Sequence, residues 1–245
     1  MDELLALIGQ HWHAVLLAPG GLQALGVWLI VWRSSSGPMP LPPLEVGALA
    51  TATSWLLAIT LLPLPGTAWP YDLDLPTLLL LIELPYLARV TRRGAQHRLI
   101  TLLNTYPLLM LAIAALGQSA GTLVLHDINR DRGALHWIGL TGWALSLPPL
   151  LGIGPWQSST ADALDALRRV ALLGLLVAAM LPAHDNTPWW QGAVALLGAW
   201  LPLALLDRHR RGDEQQLTAW QPWLCAALLV TLATVSLLRL AARLG

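Results

Sequence analysis

The sequence predicts an all-α protein, a polytopic transmembrane helix bundle of about eight helices with both termini outward. Three observations carry that expectation: the composition, a series of long apolar runs, and a one-sided placement of arginine. Hydrophobic residues make up 56% of the 245 and charged residues 11%, with a mean hydropathy of +0.58. A soluble domain carries roughly one-quarter charged residues. The 14 basic residues are all arginine, phenylalanine is absent, and 13 tryptophans supply most of the aromatic character. Many of them stand near the ends of apolar runs, where an amphipathic ring suits the bilayer interface.

Apolar runs approaching the roughly 20 residues of a spanning helix fall at 4–32, 43–64, 74–90, 99–125, 135–153, 165–182, 188–206 and 219–242. The first contains APGGLQ at 18–23, which can divide it into a short helix and a second piece lying at the interface. The third is short and would cross with little tilt. The opening MDELLALIGQHWH begins with acids where a secretory signal carries positive charge, so it reads as mature sequence. Connections are too short to house a soluble domain and no fixed-period repeat is visible, so residues 1–245 read as one integral-membrane domain.

Cytoplasmic loops collect Lys and Arg. Eight crossings place Arg33, then Arg89, Arg92, Arg93 and Arg98, then Arg168 and Arg169, then Arg208, Arg210 and Arg211 on one side. The other side holds Arg130, Arg132, Arg239 and Arg243, a split of ten to four. On that side PLPGTAWPYDLD and PAHDNTP carry no basic residue at all. The four basic loops are therefore expected inward.

Several chemistries are set aside at this level. Formal net charge is zero, so no nucleic-acid partner is expected. The one cysteine, Cys225, sits in an apolar run and reads as a small buried hydrophobe; an iron–sulfur cluster needs about four thiolates. The seven histidines fall at or near segment ends, away from the mid-helix positions of a transmembrane haem. There is no Walker loop, G-x-S-x-G, H-E-x-x-H or C-x-x-C. No catalytic residue, metal site or redox centre is assigned to this chain.

Glu83 is the residue that the composition makes conspicuous, alone in the leucines of DLDLPTLLLLIELPYLARV. A carboxylate at mid-bilayer costs at least ~2.5–3.5 kcal/mol on insertion scales, so it faces the bundle interior, a water-filled cavity or a partner. Two readings stay open. Glu83 is a proton-relay or coupling carboxylate, with Asp72 and Asp74 as further candidates at the outer end, or it is a protonated side chain hydrogen-bonded to a neighbouring helix near Pro85. For Asp72 and Asp74 the alternative is a solvated turn. The inward charges Arg89, Arg92, Arg93, Arg208, Arg210, Asp213 and Glu214 suit docking to hydrophilic partner subunits or anionic headgroups, and positive-inside topology also accounts for the arginines. Asp162 and Asp165 share a helix face ahead of Arg168 and Arg169, a pattern that helix-dipole and i,i+3 pairing also explain.

Local features occur in a particular order: PGGLQALGVW, LPLPG, DLDLPTLLLLIELPYLARV, a basic loop, LLNTYPLLMLAIAALGQSAGTLVLHDI, GPW, and LALLDRHRRGDEQQLTAWQPW. That order resembles the family of membrane subunits that anchor the quinone-reducing module of respiratory complex I (NADH:quinone oxidoreductase). The family includes the membrane anchor subunits of energy-converting [NiFe] hydrogenases and formate hydrogenlyase. The likeness is strongest over 72–128, and DRHRRGDEQQL is similar to the family's R-x-R-x-DQL loop. The chain departs from the family where GIGPWQSSTADALDALRR stands for an acid-rich loop, with Gln157 at an aspartate position, and where Thr105-Tyr106-Pro107 stands for S-Y-E. ALGVWLIVW is also almost uniformly apolar where the family has an amphipathic segment.

The resemblance implies a membrane-anchor and energy-coupling subunit, without its own redox centre, of an ion-translocating oxidoreductase complex in a bacterial inner membrane. Its partners would be hydrophilic iron–sulfur and hydrogenase-like or quinone-module subunits, antiporter-like membrane subunits and the lipid bilayer. No cofactor is expected on this chain; quinone is the one candidate ligand, near Pro155 and Trp156. The docking set would include Arg89, Arg92, Arg93, Asp162, Asp165, Arg168, Arg208, Arg210, Asp213 and Glu214. The alternative from another class is a small proton-coupled secondary transporter built around Glu83 and the proline-broken helices.

Overall fold

A computed structural model describes residues 19–34, 45–62, 64, 73–128, 133–153, 156, 162–181 and 190–209. The described residues form helices and no strands: α1 Pro19–Ser34, α2 Val46–Thr60, α3 Leu75–Arg92, α4 Gln96–Ala120, a single turn α5 Leu125–Ile128, α6 Ala134–Leu151, α7 Ala163–Met180 and α8 Trp190–His209. Seven of these follow apolar runs of the sequence; the run at 219–242 and Cys225 lie outside the described residues. Helix α1 begins at the Pro19-Gly20-Gly21 break inside the first run, where proline suits a first turn.

The helices surround α7, which packs against α1, α2, α3, α6 and α8. Every residue of α7 is buried except Asp165 and Met180. A helix buried on nearly all faces belongs to the middle of a bundle, and α7 takes Arg168 and Arg169 there with it. Gly174 lets α2 come close, since a Cβ there would lie 2.7 Å from Leu62 Cδ1. Helix α4 lies along α6 and against α3. At Gly139 of α6 an added Cβ would meet Leu116 Cγ at 2.8 Å and the Ala112 carbonyl oxygen at 2.9 Å, the small-residue contact that lets helix backbones approach. Among the described helices, α4 alone is both long and apolar enough to cross a membrane by length and composition; α2 and residues 191–204 of α8 are apolar but shorter.

At one end of the bundle the turns before α3 and α5 are tied together. Leu75 N–H donates to Leu123 O and Leu125 N–H to Leu73 O, an antiparallel bridge across Asp74 and Val124. Asp74 caps α3 by accepting from Thr77 N at 2.7 Å, followed by Pro76 in the first turn. Its carboxylate therefore satisfies an orphan helix N–H. Asp72 lies outside the described residues.

Inside α3, Pro85 lacks the N–H that would bond Leu81 O. Ser54 of α2 donates to Leu81 O at 2.9 Å, and Trp55 Nε1 donates to Ile82 O at 2.7 Å. The carbonyl released by the proline joins α3 to α2, not to Glu83.

Candidate functional site

Glu83 is 4% exposed and points into the space between α3, α4 and α7. Arg168 of α7 meets it there: Nη2 lies 2.7 Å from each carboxylate oxygen and Nε 3.1 Å from Oε1. Tyr106 of α4 donates its hydroxyl to Oε2 at 2.7 Å. The planar guanidinium fork suits a carboxylate better than an ammonium would. Arg168 is itself 1% exposed; its remaining arm, Nη1, donates to Leu150 O at 2.7 Å, and its Cζ stacks 3.6 Å from the centre of the Tyr86 ring. Both carboxylate oxygens and all three guanidinium nitrogens are thus engaged, the condition under which two buried charges are tolerated.

The end of α6 explains why three arginines turn inward. Pro148 and Pro149 close that helix and Gly152 caps it at φ +63°, leaving terminal carbonyls that need donors at the negative end of a helix dipole. Arg98 of α4 gives Nη1 to Pro149 O and Nη2 to Leu150 O, while its Nε donates to Tyr86 OH at 2.8 Å. Arg169 gives Nε to Leu151 O at 3.0 Å and Nη2 to Gly152 O at 3.1 Å. Arg98, Arg168 and Arg169 together satisfy the carbonyls of four consecutive residues.

A second charged cluster lies one to three turns further along α3. Asp162 caps α7 by accepting from Leu164 N at 3.0 Å and Asp165 N at 3.2 Å, and Asp165 Oδ2 accepts from Asp162 N at 3.0 Å. This reciprocal capping box leaves one Asp162 oxygen to receive Arg89 at 2.5 Å and Arg93 at 2.8 Å. Arg89 also lies 3.4 Å from Asp165. Arg93 sits at the C-cap of α3; burial alone would lower its pKa, but the hydrogen bond and charge of Asp162, reinforced by Asp165, raise it above the ordinary arginine value. Between the two clusters is a cavity of about 20 Å³ bounded by Tyr86, Arg89, Arg93, Arg98 and Asp165, room for about one water. A polar file interrupted by that cavity results, with Tyr106, Glu83, Arg168, Tyr86 and Arg98 on one side and Asp165, Asp162, Arg89 and Arg93 on the other.

The expected docking set is accordingly divided. Arg168 and Asp162 do not face outward: the first is committed to Glu83, and the second to the α7 cap and two arginines of α3. The acids at 162 and 165 pair with Arg89 and Arg93, while Arg168 turns to Glu83. Arg92 is exposed. Arg208 is on α8, and Arg210, Asp213 and Glu214 lie outside the described residues. Glu83 is hydrogen-bonded to two neighbouring helices, through Tyr106 of α4 and Arg168 of α7. Sequence reasoning missed Arg98 and Tyr106 as members of the site. The signal for Arg98 was the helix end marked by Gly152, since the last carbonyls of a helix have no helical donors.

Pro155 lies outside the described residues; Trp156 is 5% exposed, and its Nε1 has no acceptor among them. No group of three His, Cys, Asp or Glu side chains comes together among the described residues. No protein-family model and no curated protein matches the chain.

Proposed function

We propose that this chain is a polytopic membrane protein of about eight spans with both termini outward, serving as the anchor and coupling subunit of a complex I-like or membrane-bound hydrogenase-like complex in a bacterial inner membrane. The observation that carries this reading is the polar file through an otherwise apolar bundle, with Glu83 held by Arg168 at its deep end and the Asp162–Arg89–Arg93 cluster at the other. Mid-membrane charges are costly and mark functional paths. The pair joins α3 to α7, and the second cluster links the same two helices. Movement imposed at the cluster by a docked hydrophilic arm would reach Glu83 through α3 and α7 without crossing a loop.

Both oxygens of Glu83 are taken up by Arg168 and Tyr106. A role in ion movement requires Arg168 to release the carboxylate while keeping Leu150 O and the Tyr86 ring. Clusters and active metal would sit on partner chains, with antiporter-like subunits beside this one in the membrane. Quinone remains the candidate ligand near Trp156.

Affinity purification of the tagged full chain in mild detergent, with mass spectrometry of what accompanies it, tests the proposal. Recovery with cluster-binding and antiporter-like subunits is expected. A clean monomer or homodimer overturns it and gives first place to a proton-coupled transporter.

A further inference from the structure

Helices α2 and α3 touch where Ser54 and Trp55 bond the carbonyls of Leu81 and Ile82, and they part toward the start of α2 and the end of α3. The opening is a groove of about 330 Å³ whose walls include Glu45, Gly47, Pro85, Arg89, Arg92 and Arg93. Arg89 and Arg93 are turned to Asp162. Among the described residues Arg92 has no acidic partner, and its Nη1 lies 3.0 Å from where a Cβ of Gly47 would be. Its charge is therefore held over the first turn of α2, a helix start without a side-chain cap, where N–H groups and the helix dipole add positive potential.

Below this charged mouth the groove's flanks are apolar and exposed. Leu49, between the lining residues Ala48 and Ala50, is 55% exposed; Leu84, beside Pro85, is 58% exposed, and Leu80, one turn deeper, 54%. The rim thus offers one uncommitted guanidinium, Arg92, above an apolar flank, an arrangement that suits an anionic headgroup with acyl chains attached. We infer that the groove is a binding site for an anionic glycerophospholipid, its phosphate at Arg92 and the α2 N-terminus and its chains along Leu49, Leu84 and Leu80. Glu45 at the rim accepts from headgroup hydroxyls. The site rests on the membrane-embedded reading given above.

The test is native mass spectrometry of the detergent-purified full chain titrated with phosphatidylglycerol, phosphatidylcholine or inorganic phosphate. Phosphatidylglycerol is expected to be retained in preference to phosphatidylcholine. Arg92→Gln is expected to weaken that retention about fivefold, the effect of one arginine near an anionic lipid surface. Gly47→Ala, whose methyl would push the Arg92 guanidinium away while favouring the helix, should weaken it in the same direction. Arg33→Gln, an exposed arginine at the end of α1 outside this groove, should leave it unchanged.

Equal losses from Arg92→Gln and Arg33→Gln would overturn the site in favour of diffuse surface charge, as would displacement of the lipid by inorganic phosphate at equal concentration. Alkaline carbonate extraction of cell membranes, performed first, separates the two levels. A chain released by carbonate refutes the membrane reading itself, whereas a retained chain with unaltered lipid binding in Arg92→Gln refutes only the groove.

Discussion

Arg168 of α7 lays one guanidinium nitrogen 2.7 Å from both oxygens of Glu83 on α3, across 85 residues of sequence. Breaking such a buried pair from one side strands a charge, which costs about 3–5 kcal/mol, whereas removing both sides together leaves none. The pair also fixes the rotation of α3 about its axis, since Glu83 and Tyr86 must both face α7.

Tyr106→Phe removes a single hydrogen bond to the carboxylate and leaves the ring in place. A loss of about 1.5–3 kcal/mol is expected, the usual worth of a hydrogen bond to a charged group. Unfolding in detergent followed by tryptophan fluorescence reads it, and an unchanged midpoint would show that Glu83 does not depend on this donor.

Asp162→Asn and Asp162→Ala separate two duties of one side chain. Asparagine still caps α7 but loses the charge facing Arg89 and Arg93; alanine loses both. The alanine variant is expected to be less stable than the asparagine variant by about 1 kcal/mol, the value of an N-cap. Equal stabilities would mean that the cap contributes nothing there.

Gly152→Ala is expected to cost at least 1–2 kcal/mol, the penalty for an L-residue in the left-handed region, because Gly152 sits at φ +63° and its Cβ would lie 3.2 Å from the Arg98 guanidinium. Thermal unfolding of the purified chain checks this. A neutral result would contradict the cap geometry at the end of α6.

On the proposed coupling role, Glu83→Gln, which keeps the side chain's shape, is expected to lower coupled proton movement sharply in the complex while the subunits still assemble. Proton movement equal to that of the unaltered complex would remove Glu83 from the path.

What the sequence made legible follows from local physics. Apolar runs of the right length became helices at each of the places that can be compared, and Pro19, Asp74 and Asp162 start helices as proline and N-capping acids do. The prominence of Glu83 was also readable, because a lone acid among leucines must find a partner. Which partner was not readable, since that depends on how α3, α4, α6 and α7 are rotated against one another. Arg168 stands three residues after Asp165, and the local expectation was a pair along one helix face. The stronger demands came from elsewhere: a carboxylate without solvent on α3 and the terminal carbonyls of α6. A guanidinium on the first turns of α7 could meet both, while Arg89 and Arg93 met the acids instead.

The most direct measurement is a double-mutant cycle on Glu83→Met and Arg168→Met, using unfolding free energies of the detergent-purified chain. Each single variant should lose about 3–5 kcal/mol, and the double variant much less than their sum. Additive losses would contradict a direct pair between α3 and α7, and with it the deep end of the polar file.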